Sequence, residues 1–239
     1  MKKAYYYAML LSVSSSIWLT AHASAYTVNW QGALKAVHSG DTSGKVDLQT
    51  FANKTNLYAL GPVADLDGEI TVIADSFSIA RVREGSIKTD HDLDTQASFL
   101  VWAEVAAWQQ PTSLSEKVEN LSQLQTLVEE QAKKAGIDTS QPFPFLLEGL
   151  IPSVEYHVLA PKTQPQGHNT QQDNHTAAAK NISAENTKAK ILGFFSKTHQ
   201  GVFTHRDSFI HLHILEDNGS SGHIDALAVN ADTRITFPQ

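Results

Sequence analysis

One long segment of the chain has the hydrophobic spacing of a helix. From Ser113 to Ala135, leucine, valine and alanine side chains recur at intervals of three or four residues, which places them on one helical face. Ser113 and Glu116 have the spacing of a capping box at the beginning of this segment, and Gly136 follows where a C-terminal cap belongs. The pattern predicts an amphipathic helix from Ser113 to Ala135 that packs against a sheet.

Most of the remaining hydrophobic pattern is typical of β-strands. Short apolar or alternating runs, rich in β-branched and aromatic residues, are separated by glycine, aspartate and proline. A second, short helix is predicted at Trp30–His38, because apolar residues share one face there and Gly40 follows. The apolar runs predict strands at Leu57–Leu60, Ile70–Ala74, Ser76–Val82, Phe99–Trp108, Leu146–Leu150, Val154–Ala160 and Phe209–Leu215.

The beginning of the chain has the pattern of a secretory signal. Two lysines precede an apolar stretch, Ala8–Thr20, and Ala23-Ser24-Ala25 then matches an A-x-A cleavage signal. Residues 1–25 are therefore predicted to be a signal peptide that is cut before Tyr26. The apolar stretch is short and rich in serine, which favours cleavage over a membrane anchor. We expect a periplasmic or secreted protein without a membrane span.

The predicted mature chain divides by composition into three parts. Residues 26–160 are expected to form an N-terminal part of strands and helices. Residues 188–239 are expected to form a C-terminal β part that packs with residues 140–160. Between them, residues 161–187 are rich in Gln, Asn, Thr and Ala and carry almost no large apolar side chain, which predicts a flexible polar loop.

The amino-acid composition excludes several kinds of functional site and one class of partner. The 239 residues include no cysteine and 11 histidines, so thiolate metal sites, disulfides and a cysteine nucleophile are excluded. The formal net charge is −7, and it becomes about −9 without the two lysines of the signal. This charge argues against nucleic acid as a partner. His168 and His175 lie in the polar loop, where solvated side chains are expected more often than a metal-scavenging tract.

Three histidines near the C-terminus have the spacing of a metal site. In the predicted strand Phe209–Leu215, His211 and His213 share the face opposite to the apolar residues. The glycine-rich turn at residues 216–222 predicts a hairpin that brings His223 beside them. Three histidines leave an open coordination position, which is typical of a catalytic metal site. The alternative is that the two strand histidines are half-exposed polar residues without a ligand.

Short motifs, taken in order, connect this chain to a known family. Leu66-Asp67-Gly68-Glu69 stands in the N-terminal half, and His211-Leu212-His213 is followed by a polar turn and Gly222-His223. With these motifs the sequence resembles the acetolactate decarboxylases over most of the mature chain, the polar loop excepted. The resemblance implies an α+β fold of the broad α/β class, with two mixed β-sheets and packed helices. It also implies a zinc ion held by the three histidines, although other divalent metals suit three imidazoles as well.

The resemblance implies a small-molecule reaction. Enzymes of this family release CO2 from 2-acetolactate to give acetoin, so the expected substrate is 2-acetolactate or a related small 2-hydroxy-3-keto acid. Glu69 is then the expected catalytic proton donor. Without the resemblance, Glu69 is interpreted as a solvated carboxylate in a turn.

The sequence departs from the family pattern at two places. The family has a catalytic arginine where this chain has His157, which lacks the bidentate guanidinium fork but can still carry a proton. The family also has a second catalytic glutamate in a C-terminal extension, and this sequence ends at Gln239. We therefore expect a rebuilt pocket, with His157 as a catalytic residue and His205 and Glu155 as substrate-binding residues.

These departures leave two functions open. The first is a metal-dependent carbon–carbon lyase. The second is an exported, non-catalytic protein that uses the three histidines to bind a metal or a small ligand. A purely structural secreted domain would bind no metal. We also consider a homodimer.

Overall fold

The computed structural model of the chain describes residues 26–161 and 178–239. The predicted signal peptide lies outside the described residues, as do His168 and His175 of the predicted polar loop. No helix in the two described ranges is both long enough and apolar enough to cross a lipid bilayer.

The N-terminal half forms a six-stranded sheet. Its strands are β1 (Val28–Gln31), β3 (Leu57–Pro62), β4 (Glu69–Ile73), β5 (Ser76–Arg83), β6 (Ser86–Asp90) and β8 (Leu100–Glu104). The strand order is β1-β8-β3-β4-β5-β6, and the ladders are antiparallel between all the described neighbours. A separate two-stranded ladder joins β2 (Val46–Asp47) to β7 (Gln96–Ala97).

The C-terminal half forms a second six-stranded sheet. Its strands are β9 (Thr112–Ser113), β10 (Phe143–Ala160), β11 (Ala178–Phe195), β12 (Ile210–Glu216), β13 (Ser221–Ala228) and β14 (Arg234–Thr236). The strand order is β11-β12-β13-β10-β14-β9, and a further pairing of the two long strands β10 and β11 closes β10, β11, β12 and β13 into a ring. These ladders are antiparallel as well.

Residues 26–161 and 178–239 contain few helices, and the two that were predicted are both shorter than predicted. Helix α1 spans Leu34–His38, because the residues before it pair as strand β1. Helix α2 spans Leu121–Lys134 and is capped by the Asn120 side chain, which accepts a hydrogen bond from a backbone N–H of the first turn. The capping box predicted at Ser113 is wrong, because Ser113 pairs with β14 as part of β9. Two short 3-10 turns, at Leu48–Phe51 and Ala64–Leu66, complete the helical content of the described residues.

Part of the predicted polar loop is a strand. Residues 178–187 pair with the end of β10, so the loop prediction for this part of 161–187 is wrong. Most side chains here are exposed, and the polar sequence therefore lacks the hydrophobic alternation that usually marks a strand. The two strands predicted around Pro152 are likewise one strand, since the residues on both sides of Pro152 remain paired with β11.

The core lies in three apolar layers. Apolar residues of 46–51 pack on the outer face of the first sheet, the two sheets pack face to face, and α2 packs on the far face of the second sheet. The predicted class, two sheets with packed helices, is confirmed, in a molecule that is mainly β. Strand β12 illustrates the layering. Its apolar residues Ile210, Leu212 and Ile214 belong to the α2 side, and its histidines face the first sheet.

Candidate metal centre and active site

The hairpin β12–β13 brings the three predicted ligands together. His213 lies directly opposite His223 in the ladder, and His211 lies two residues earlier on the same face. Their side chains are almost fully buried, with 3%, 0% and 9% exposure for His211, His213 and His223. One ring nitrogen of each lies within 4.8 Å of the others. The structure therefore gathers the three histidines into one group that can hold a metal ion.

Hydrogen bonds orient two of these rings. The Nδ1–H of His211 donates to the Phe203 carbonyl at 2.7 Å, which leaves Nε2 with its lone pair. The Nδ1 of His213 is hydrogen bonded to the Thr71 hydroxyl at 3.0 Å. The Nε2 of His213 is buried and has no hydrogen-bond partner among the described residues. A buried imidazole nitrogen without a partner fits a metal ligand, because a bound ion would satisfy it.

The protonation state of the three histidines also favours coordination of a metal ion. Burial lowers the pKa of His211, His213 and His223 well below the ordinary value, and the neighbouring histidines lower it further. All three rings are then neutral at pH 7. The neutral imidazole is the form that coordinates divalent metals.

In the segment Leu66-Asp67-Gly68-Glu69, the structure explains the residue type or position of each of the last three residues. The carboxylate of Asp67 pairs with Arg83 of β5 at 2.6 Å. Gly68 has a φ of +142°, and a Cβ there would lie 2.2 Å from the Ala80 carbonyl oxygen, so a side chain is excluded. Glu69 begins β4, the strand that also carries Thr71 to the triad.

Glu69 is a buried carboxyl beside the triad. It is 2% exposed, and its Oε2 lies 3.6 Å from the Nε2 of His213. Its Oε1 lies 3.9 Å from the Nε2 of His157. Burial raises the pKa of Glu69 to about 8, against the opposing charge of His157. The carboxyl can therefore hold a proton near neutral pH, which contradicts its interpretation as a solvated turn residue.

His157 reaches the same site from β10. It pairs with His223 across the β10–β13 ladder, and its Nδ1 lies 2.8 Å from a carboxylate oxygen of Asp225. Burial lowers the pKa of His157, but the hydrogen bond to Asp225 and the charges of Glu69 and Asp225 outweigh it, so the net shift is upward. The Asp225 contact fixes the ring and directs Nε2 toward Glu69.

A cavity of about 270 Å³ lies beside these groups, between the two sheets. Six of the described residues that line it are polar, namely His38, Glu69, His157, His205, His211 and His223. The other lining residues are apolar or small, namely Leu34, Val37, Pro62, Leu66, Phe99, Leu159 and Ala179. Among the described residues, no lysine or arginine borders this cavity. A cavity of this size suits a ligand smaller than a typical drug-sized molecule.

The remaining predicted residues have different positions. The Nε2 of His205 lies 3.2 Å from the Nε2 of His223, so His205 is in the site. Burial lowers the pKa of His205. Glu155 is exposed and does not border the cavity, so the geometry lends no support to its predicted role in substrate binding.

The sequence prediction missed four groups that the fold brings to this site. They are Thr71, the Phe203 carbonyl, Asp225 and His38. Thr71 has a local signal, since it alternates with Glu69 on one face of β4. The other three carry no signal in the sequence that marks them as groups of the site.

Comparisons with known proteins find a matching family model and similar folds. The family model described as alpha-acetolactate decarboxylase matches residues 30–238. The crystal structure of alpha-acetolactate decarboxylase from Bacillus subtilis strain 168 is similar, with a TM-score of 0.66 and 15% identity over 89% of this chain and 85% of that one. A Staphylococcus aureus protein of unknown function, described as similar to alpha-acetolactate decarboxylase, gives a TM-score of 0.62 and 14% identity, with coverages of 89% and 84%. No sequence among the curated proteins matches.

Proposed function

The chain belongs to the alpha-acetolactate decarboxylase family, a family of carboxy-lyases, and from that premise we propose a zinc-dependent decarboxylase of 2-acetolactate or a related small 2-hydroxy-3-keto acid. The products would be CO2 and acetoin or its analogue. One observation carries the proposal: three buried histidines converge beside the buried carboxyl of Glu69, and Glu69, His211 and His223 line a small cavity.

The donor set fits zinc. His211, His213 and His223 would hold the ion, and three histidine ligands leave a position open for substrate, as in catalytic zinc sites. When bound, zinc supplies a Lewis acid that stabilises negative charge on substrate oxygens.

Glu69 supplies the proton in this proposal. When the bond to the carboxylate carbon breaks, CO2 leaves and the electron pair stays on the substrate carbon. Glu69, a buried carboxyl beside the triad, transfers its proton from the carboxyl oxygen to that carbon. Its carboxylate then takes up a proton before the next turnover.

His157 replaces the family's arginine as a polar group for substrate oxygens. Asp225 holds its Nδ1, so Nε2 is the nitrogen presented to the cavity. A single imidazole binds a carboxylate less firmly than the guanidinium fork of arginine. The apolar wall formed by Leu34, Val37 and Phe99 excludes water and accommodates short alkyl groups.

A turnover assay tests the proposal. Zinc-loaded and metal-stripped protein are incubated with racemic acetolactate, and both acetoin and CO2 are measured. We expect stoichiometric acetoin and CO2 from the zinc-loaded protein alone. Product no higher than that of the metal-stripped control would overturn the decarboxylase proposal for this substrate.

The second candidate is a non-catalytic protein that binds a metal or small ligand. The cavity favours it in one respect, since no lysine or arginine of the described chain borders it to hold a substrate carboxylate. This candidate predicts zinc binding and saturable ligand binding without acetoin. The same assay, combined with calorimetric titration of acetolactate, separates it from the lyase.

We also propose that the protein is exported. The support is the signal-like pattern of residues 1–25, with its Ala23-Ser24-Ala25 cleavage motif. Expression in a Gram-negative host with mass analysis of the periplasmic form tests this. A mature protein that begins at Tyr26 is expected, and intact protein in the cytoplasm would contradict it. The mass in solution would also decide between a monomer and a homodimer.

A further inference from the structure

Each triad histidine has a second ring nitrogen, and the structure gives each one a specific partner. His211 donates from Nδ1 to the Phe203 carbonyl, and the Nδ1 of His213 is hydrogen bonded to Thr71. Such contacts orient a metal-bound imidazole and increase its basicity. The corresponding nitrogen of His223 contacts neither a carbonyl nor a hydroxyl, but another histidine, His205.

His223 differs from the other two in which nitrogen faces the triad. Its Nδ1 lies 3.0 Å from the Nε2 of His211, whereas its Nε2 lies 3.2 Å from the Nε2 of His205. The nitrogen available to a metal is therefore Nδ1. The Nε2 of a neutral ring bound through Nδ1 carries the proton, so it must donate a hydrogen bond or remain an unpaired buried donor.

The fold holds His205 in place to accept that bond. His205 follows a short loop that also carries Phe203, and the backbone N–H groups of Leu34 and Lys35 donate to the carbonyls of Val202 and Gly201 in this loop. Helix α1 thus fixes the segment that supplies partners to both His211 and His223. His205 itself is half-buried, and it is not among the three residues whose nitrogens converge.

We propose that His205 is a positioning residue of the metal centre: its Nε2 accepts a hydrogen bond from the Nε2–H of His223 and so strengthens zinc binding through His223 Nδ1. The proposal rests on the proposed zinc site and gives His205 a role other than substrate binding. The hydrogen bond between His205 and His223 is proposed for the zinc-loaded protein without substrate.

Zinc affinity tests this role without any activity measurement. Competition with a chromophoric chelator gives the zinc Kd of the wild type, His205→Ala, His205→Gln and a control, His91→Ala. His91 directly follows β6, its Nδ1 is hydrogen bonded to the Phe77 carbonyl, and it does not border the cavity. We expect His205→Ala to weaken zinc binding by about 10- to 100-fold, the usual cost of losing such a contact. Glutamine offers an acceptor oxygen and should recover most of the loss, and His91→Ala should match the wild type.

The outcomes are distinct. If the wild type binds no zinc, the proposed function fails with this inference. If the wild type binds zinc and His205→Ala stays within twofold, this inference alone is overturned. A glutamine variant as weak as alanine would also overturn the acceptor role. The visible spectrum of the Co²⁺-loaded protein provides a further test: His205→Gln should match the wild type, and a changed ligand field would show that His205 is a ligand instead. Circular dichroism of the metal-free variants verifies folding.

Discussion

The two sides of the cavity are built in different ways. The proposed metal side consists of His211, His213 and His223. It comes from one hairpin, is almost fully buried and borders the cavity through His211 and His223. The substrate side, which consists of Glu69 and His157 with the apolar wall, comes from β4, β10 and segments around α1, and His157 is only partly buried. One side is fixed by a local ladder, and the other is assembled by long-range packing.

Because of this difference, the two sides should tolerate amino-acid substitutions to different extents. On the metal side, every ligand depends on ladder register, so the site is present or absent as a unit. On the substrate side, single groups can change while the fold persists. The chain illustrates this, because a histidine stands where the family resemblance implies an arginine. The substrate side is therefore where we expect a member of this family to change its specificity.

Removal of one triad ligand should have the largest effect. His211→Ala leaves two ligands, and one ligand's share of a zinc-binding free energy is on the order of 3 kcal/mol, or about 100-fold in affinity. We expect zinc to be lost on gel filtration and acetoin formation to fall to background, as measured by elemental analysis and product assay. His91→Ala should retain one zinc. Full zinc content in His211→Ala would contradict the assignment of the three histidines as zinc ligands.

Glu69→Gln should lower the reaction rate on the substrate side without affecting zinc binding on the metal side. Glutamine keeps the shape of the carboxyl but carries no transferable proton, so the rate should fall by about 100- to 10,000-fold, the usual contribution of a general acid. Zinc content, measured by the same elemental analysis, should remain one per chain. Activity close to the wild type would assign the proton to another group.

The same variant should change the pH dependence of stability in the metal-free protein. Burial raises the pKa of Glu69 to about 8, so between pH 4.5 and 8 the folded state retains a proton that the unfolded chain has lost. Stability from this group is therefore lost as pH rises through that range. We expect the advantage of Glu69→Gln over the wild type to grow by about 2 kcal/mol from pH 5 to pH 7. Urea unfolding with a chelator present measures it, and parallel pH profiles would contradict it.

Among these four predictions, the one for Asp225→Ala has the smallest expected effect. Loss of the contact that orients His157 should lower kcat/KM about tenfold, which matches one hydrogen bond to a charged group, with zinc affinity unchanged. Glu155→Ala is the matched control, because Glu155 is an exposed carboxylate that does not border the cavity. Equal effects of the two substitutions would show that the Asp225–His157 pair has no specific role.

The sequence predicts the metal side better than the substrate side for a physical reason. The alternation of His211 and His213 with apolar neighbours and the turn before His223 are local, and β-strand geometry converts them directly into positions. The contact of His157 with Asp225 spans 68 positions in the chain, and that of Thr71 with His213 spans 142. Such contacts depend on how the sheets pack, which no local pattern encodes.

The errors in the fold prediction have a similar origin. The capping spacing of Ser113 and Glu116 is a valid local signal, but pairing of Ser113 with β14 outweighs it, and the helix begins only after Asn120. The polar residues 178–187 form a strand because β10 offers them a partner, not because their own pattern favours one.

Anomalous X-ray scattering at the zinc edge, from crystals of zinc-loaded protein, tests the metal side most directly. The expected result is one peak at roughly 2.0–2.1 Å from the Nε2 of His211, the Nε2 of His213 and the Nδ1 of His223. A peak at another group of residues, or none between the two sheets, would contradict the three-histidine centre.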